Sequence, residues 1–312
     1  MAKRWKRQRW GKKYIDKRDW KETNEKYVKR GEFYLSLDFL DNWDYELRKM
    51  NKSKRGAPFQ FPTPFILFMM IIHIMFKLPY RQEEGFLRKL STFIPQLKVA
   101  DYTTIYKRGA KLDIQIKDTI FVPSEDVVIS IDSSGVKVTN RGEWMREKWR
   151  VHRGWIKVHL AVDTKKKQVV GIEVTDERVT DEEKFGGLVE QAESNLGEGK
   201  VKRALTDGAY DTKDNHDLLG EKGIEDGIKI RKNASRKARG SKYRKKAVIE
   251  FQDLGYDRWK EKHGYGHRWS AEGTLSSVKR ITGEYVTSTK TGNMFREVRM
   301  KFLFYNMLIN AS

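Results

Sequence analysis

Three acidic residues stand in surroundings that suit chemistry better than solvation. Asp132 lies in the run VVISIDSSG, Asp207 in RALTDGAYD and Glu272 in RWSAEGTLSSVKR, each an acid set against apolar neighbours. Carboxylates brought close together repel unless cations occupy the site, and hard oxygen donors select Mg²⁺ or Mn²⁺. Two such ions clamp the attacking and leaving oxygens of an in-line displacement, so this triad suits cleaving or joining a phosphodiester without a covalent enzyme intermediate. Taken singly, each acid also reads as a helix cap or as the partner of a nearby Lys or Arg.

The surroundings of Glu272 favour the triad. Tyr265, Arg268, Glu272 and Lys279 follow the spacing Tyr-x2-Arg-x3-Glu-x6-Lys. At about 100° per residue they share a helix face about 60° wide if the helix begins early enough; Gly264 and Gly266 otherwise leave Tyr265 in the preceding turn. Leu275, Val278 and Ile281 lie elsewhere on the wheel and can face a core. A carboxylate flanked by guanidinium, ammonium and phenol suits a metal next to phosphates, where Arg and Lys neutralise charge and Tyr donates or stacks.

Those residues need a scaffold, and the periodicity supplies one. Asp126 to Val138, Trp155 to Asp163 and Gln168 to Val174 are rich in Val and Ile and read as three strands, the last two a hairpin. Thr180 to Ser194 reads as a helix, Lys202 to Asp207 as a buried strand, Thr212 to Leu219 as a helix and Ile224 to Ile230 as a strand. This order is that of an α/β, RNase H-like mixed sheet flanked by helices, with Asp132 and Asp207 at the ends of adjacent central strands. Before it, an all-helical region is expected: Tyr34 to Leu47, a buried helix from Pro64 to Phe76, Gln82 to Leu90, and Thr103 to Leu112 behind Asp101 as N-cap. Its basic final helix suggests a helix-turn-helix-like unit. The domains expected are a basic arm 1–30, a helical DNA-binding region 31–120 and a catalytic domain 121–312 with a basic loop 229–246.

Charge points to the partner. Lys and Arg number 64 against 43 Asp and Glu, a net of +21, which favours a polyanion, with nucleic acid ahead of an anionic membrane surface. Residues 1–30 carry 13 Lys or Arg against four acids, interleaved with Trp5, Trp10 and Trp20; a solvated tail and an arm along a phosphate backbone are equal readings. From Lys229 to Lys246, ten of 18 residues are basic, and Arg231, Lys232, Arg236 and Lys237 sit where a loop can close over a nucleic-acid backbone. Pro64 to Phe76 is shorter than a membrane span. No signal-like apolar run opens the chain, so a cytoplasmic protein is expected, and the absence of cysteine excludes disulfides, thiolate catalysis and cysteine-based zinc sites. Neither a G-x-S-x-G elbow nor a P-loop is present.

Other constellations are weaker. Asp163 and Asp211 read as surface or turn residues, or as supports of the metal site. His152 and His159 face opposite sides of a strand if both lie in it. His263 and His267 lack a zincin's Glu and read as incidental or phosphate-facing. Trp144 and Trp149, among Arg141, Arg146, Lys148, Arg150 and Arg153, suit core packing as well as base stacking.

The four-residue spacing and the segment GYGHRWSAEGTLSSVKRITGEYV resemble the signature of the DDE transposases of the IS4/IS5 superfamily, in its IS5-like form, with similarity from Asp126 through KFLFYNMLIN and a familial DYTTIYKR segment. The resemblance implies a metal-binding catalytic triad of Asp132, Asp207 and Glu272, two Mg²⁺ or Mn²⁺ ions per site, and contacts to the transposon end from Tyr265, Arg268 and Lys279. It further implies a prokaryotic, nucleoid-associated enzyme that binds inverted terminal repeats, frees a 3′ hydroxyl by hydrolysis and joins it to target DNA, working as at least a homodimer in the synaptic complex. Two alternatives stand beside it: a metal-dependent nuclease of the same fold that does not join strands, and a transposase-derived DNA-binding protein.

Overall fold

The computed structural model describes residues 18–138, 154–237 and 239–311. Residues 1–17 of the basic arm, and Trp144, Trp149, His152 and the arginines around them, lie outside the described residues.

The chain opens with five helices, α1 (Trp20–Phe33), α2 (Trp43–Asn51), α3 (Thr63–Phe76), α4 (Tyr80–Ser91) and α5 (Tyr102–Gly109). The end of the expected arm is thus helical: Asp19 caps α1 by accepting from the amides of Lys21 and Glu22, and no residue of α1 is buried. The helix expected over Tyr34 to Leu47 is corrected to a turn, a 3₁₀ segment at Asp38–Leu40 and then α2. The Ser36 hydroxyl donates to the Asp38 carboxylate at 2.6 Å, a local bond that competes with helix. Phe39 and Trp43 go inside while Leu35 stays exposed.

Helix α3 carries the run TPFILFMMIIHIMF, with Pro64 in its first turn, where no amide is needed, and Lys77 in the left-handed region ending it. Nine of its residues are buried, as expected of a core helix. Among the described residues no single helix is long and apolar enough to cross a membrane. Asp101 caps α5 as the sequence implies, accepting from the amides of Thr103 and Thr104.

The second half is an RNase H-like α/β fold. Strands β1 (Val127–Lys137), β2 (Trp155–Asp163) and β3 (Val169–Asp176) form an antiparallel meander. Helix α6 (Asp181–Leu196) leads to β4 (Val201–Thr206), helix α7 (Lys213–Glu221) to β5 (Glu225–Ile228), and α8 (Lys242–Lys262), α9 (Trp269–Thr282) and α10 (Thr291–Asn310) complete the chain. The sheet order is β3-β2-β1-β4-β5, with β4 parallel to β1 and β5 parallel to β4.

The period-2 alternation of the strands decides what faces what. Val127, Ile129 and Ile131 of β1 pack with Phe185, Leu188 and Val189 of α6 in one core. The even residues turn the other way, where Val158, Leu160 and Val162 of β2 meet α9 and α10. That second core is continuous with α3, so the helical region and the sheet share one apolar interior. Ser130, Asp132 and Ser134 belong to this even row, beside α9.

Candidate active site

Asp132 lies mid-strand, not at the end of β1 as the sequence suggests. The end that matters is that of β4, whose pairing with β1 stops at Ser130 opposite Leu205. Asp132 stands two residues further along β1 and Asp207 directly follows the last residue of β4, so both lie where the parallel pairing of these neighbouring strands ends. Beyond Thr206 the chain leaves the sheet because Asp207 caps a 3₁₀ turn, Gly208–Tyr210, accepting from the Ala209 amide at 2.8 Å.

Helix α9 brings the third acid. The Ser130 hydroxyl donates to the Arg268 carbonyl at 2.6 Å, tying β1 to the start of α9. Arg268 then spans the site, Nη2 at 2.7 Å from Glu272 Oε1 and Nη1 at 3.7 Å from Asp132 Oδ2. Burial pushes the Asp132 carboxyl up to about 6; the Ser133 amide and Arg268 pull it back, and the Asp207 and Glu272 carboxylates push it further. Asp132 therefore feels both of the other acids. The cleft that Asp132 and Glu272 border, about 500 Å³, is continued by Ser133, Ser134, Lys279 and Arg280.

Of the two sequence readings for this segment, the one that leaves Tyr265 in the turn before the helix holds, and the shared face of four does not form. Gly264 is left-handed (φ 59°), and Tyr265 to Arg268 form a 3₁₀ turn ahead of α9, so only Glu272 and Lys279 of the four lie within the helix. Tyr265 is buried, packs 4.9 Å from Trp259 and donates its hydroxyl to the Thr206 carbonyl at 3.1 Å. It braces the end of β4 rather than presenting a phenol to a ligand. Lys279 Nζ donates to Ser134 Oγ at 2.7 Å, and burial, with Lys137 nearby, holds its pKa below the ordinary value against Glu284.

The basic segment 229–246 is no single loop, because Ser241 caps α8 and Lys242 onward is helical. Arg231 is exposed but its guanidinium lies along the turn that follows Asp207: Nε donates to the Gly208 carbonyl at 2.7 Å and Nη2 to that of Ala209 at 2.8 Å. Arg236 pairs with Asp253, while Lys232 and Lys237 are exposed.

Asp211 is neither a surface nor a turn residue but a buried hub. It accepts from the Arg231 amide at 2.9 Å, from Arg244 Nε at 2.7 Å and from His216 Nε2 at 3.1 Å. Burial opposes its charge, yet these partners outweigh it and hold the carboxyl below the usual range. For His216 burial likewise opposes charge, but Asp211 and Asp226 raise it to about 9. Asp163 is the buried last residue of β2, not a surface or turn residue, and accepts from the amides of Lys165 and Lys166 in the turn that follows, and His263 bonds Glu250.

Sequence reasoning missed a fourth carboxylate. Asp181, at the start of α6, takes Lys157 Nζ at 2.8 Å and lies 3.4 Å from His159 Nδ1. Burial opposes its charge, and the neighbouring His159, Lys157 and Ser133 overcome that and hold it low. The available signal was the acidic run DEE beginning a helix, which reads as ordinary helix-start chemistry.

The donor set suits a hard divalent ion at Asp132 and Asp207, two half-buried carboxylates of which Asp132 faces the Arg268 guanidinium. Among the described residues no group of three carboxylates and imidazoles converges closely enough to hold an ion as placed. Glu272 is engaged by Arg268 and would have to exchange that partner to join the aspartates.

Fold and site together define an RNase H-like protein with acidic residues gathered where its central parallel strands separate. Residues 123–307 match a family model described as a transposase DDE domain, and residues 28–141 match a second model of the same description. The chain belongs to this family of DDE-domain transposases. A cryo-EM structure of the piggyBac transposase synaptic complex with hairpin DNA is similar at a TM-score of 0.41 and 9% identity, over 91% of this chain and 74% of that one.

Proposed function

We propose that this chain is an IS5-like DNA transposase that binds the terminal repeats of its element and carries out divalent-metal-dependent strand cleavage and strand transfer. The observation that carries the reading is the cleft that Asp132 and Glu272 line together with Lys279 and Arg280, with Asp207 directly after the end of β4, the strand paired with β1. Asp132 and Asp207 would hold Mg²⁺ or Mn²⁺, with Glu272 completing the set for two ions. Bound there, the ions would supply Lewis-acid stabilisation of the attacking and leaving oxygens.

The chain's own groups do the rest. Arg268 keeps the carboxylates from repelling one another and is placed to pass to a phosphate when Glu272 turns to a metal. Lys279 and Arg280 meet the phosphodiester along the cleft. The net charge of +21 supports double-stranded DNA as the partner, with Lys232 and Lys237 exposed for it. Work on two ends calls for a homodimer in the synaptic complex, and a chromosomal substrate places the enzyme in a prokaryotic cytoplasm at the nucleoid.

The test is incubation with the DNA ends that flank its gene, Mg²⁺ and a target plasmid. Cleaved 3′ ends and joined products are expected. Cleavage without joining would reduce the protein to a nuclease, and binding with no metal-dependent cleavage would reduce it to a DNA-binding protein.

A further inference from the structure

The turn that starts at Asp207 is flanked by the stretch of chain that follows β5. The Lys229 amide donates to the carbonyl of Thr206, directly before Asp207, at 3.2 Å, and the Arg231 guanidinium lies on the carbonyls of Gly208 and Ala209 directly after it. That stretch is itself fastened to Asp211, whose Oδ2 accepts the Arg231 amide at 2.9 Å.

Asp211 is buried, and a buried carboxylate stays charged only where cations and donors surround it. Arg244 of α8 supplies one cation, with Nε 2.7 Å from Oδ1 and Nη2 3.1 Å from Oδ2. His216 of α7, fully buried, supplies the other: its Nε2 lies 3.1 Å from Asp211 Oδ1, and its Nδ1 bonds Asp226 of β5. Both ring nitrogens face carboxylate oxygens, so both donate and the ring is an imidazolium. Burial opposes that charge, and the two carboxylates outweigh it. Helices α7 and α8 and strand β5 thus converge on the carboxylate that holds the stretch beside Asp207.

We propose that Asp211 and His216 are a positioning pair for Asp207: the imidazolium fixes the Asp211 carboxylate, Asp211 fixes the stretch from Lys229 to Arg231, and that stretch sets the turn from which Asp207 meets a divalent cation. This rests on the reading of Asp207 as a metal ligand. Neither member of the pair touches the ion or the DNA in this role; both act through the backbone of the turn. Asp226 supplies a built-in comparison. It bonds the same imidazole, but its other oxygen accepts the Ile228 amide at 2.9 Å, within β5 and not in the turn.

Asp211→Asn and His216→Gln remove the charges at little change in size. Mn²⁺ binding to each variant in complex with a pre-cleaved end is read from the EPR signal of the free ion, beside Mg²⁺-dependent cleavage, DNA binding in Ca²⁺ and a thermal melt. Both variants should bind Mn²⁺ and respond to Mg²⁺ roughly tenfold more weakly than the wild type, the typical effect of losing a group that orients a metal ligand. DNA binding in Ca²⁺ should not change. The double variant should be little worse than the weaker single one, because the two groups act in series, and Asp226→Asn should stay close to the wild type. Unshifted Mn²⁺ binding in Asp211→Asn or His216→Gln would overturn the inference. So would an equal shift in Asp226→Asn, or failure of both Asp211→Asn and His216→Gln to fold, since the pair would then serve the packing of α7 and not the turn. Asp207→Ala run in parallel separates the two claims. Full cleavage by that variant would remove the reading of Asp207 as a ligand, whereas an inert Asp207→Ala beside wild-type Mn²⁺ binding in the other two would remove only this inference.

Discussion

Arg268 and Glu272 form an ion pair of 2.7 Å across one helical turn at the mouth of the acidic cleft. The same guanidinium reaches toward Asp132, so one side chain serves two carboxylates. Burial opposes its charge, and Glu272, Tyr265 and Asp132 outweigh that to hold its pKa above the ordinary value. An ammonium is a point charge and cannot span both acids. Arg268→Lys should therefore lower end cleavage by roughly tenfold or more with little change in the thermal melt. Wild-type cleavage in Arg268→Lys would show that the bridge is incidental.

Arg231 separates positioning from DNA contact. Its guanidinium is spent on the carbonyls of Gly208 and Ala209, so Arg231→Ala should loosen the turn beside Asp207 and depress cleavage. DNA binding should keep its salt dependence. A log-log slope shallower by about 0.9 would instead assign Arg231 a phosphate.

Glu83 supplies a stability prediction away from the cleft. It is fully buried, neither oxygen has a hydrogen-bond partner among the described residues, and burial pushes its carboxyl up to about 9. The folded state keeps this proton where the unfolded chain, with a value near 4.5, releases it. The native state thus binds more protons between those values, and its stability falls as pH rises from about 4.5 through about 9. Glu83→Met should flatten that slope and stabilise the protein by about 1–3 kcal/mol near pH 8. Parallel melts at about pH 5 and about pH 8 decide it; an unchanged slope would mean that Glu83 is ionised and paired.

The basic arm is tested by truncation. Removing residues 1–17 leaves Asp19 to cap α1 and should weaken DNA binding and flatten its salt dependence by about 0.9 per lost phosphate contact. An unaltered slope would make the arm a solvated tail.

What the sequence made legible follows from local periodicity. Val and Ile alternation located β1 to β3 because each strand has one face on α6 and one on α9 or α10, and the apolar run from Phe65 marked α3 because it is buried all round. Asp132 and Asp207 stood out in the sequence because one interrupts an apolar strand and the other directly follows one. The failures lie where tertiary contacts override pattern. Tyr265 fits a helical face by spacing, but left-handed Gly264 starts a 3₁₀ turn and the Thr206 carbonyl draws the phenol inward. Arg231 sits in a basic run, yet the carbonyls it binds are 22 and 23 residues away in sequence. His216 was invisible because its meaning depends on Asp211 and Asp226 closing around it.

The central claim is that Asp132, Asp207 and Glu272 together hold divalent cations for phosphodiester chemistry. The most direct measurement is cleavage of labelled terminal-repeat DNA by the wild type and by Asp132→Ala, Asp207→Ala and Glu272→Ala, in Mg²⁺, Mn²⁺, Ca²⁺ and chelator, with DNA binding measured alongside. The wild type should cleave in Mg²⁺ and Mn²⁺, bind with little cleavage in Ca²⁺, whose looser coordination suits the chemistry poorly, and be inert in chelator, while all three variants bind DNA without cleaving it. Cleavage that survives the chelator, or full activity in any one of the variants, would contradict the account.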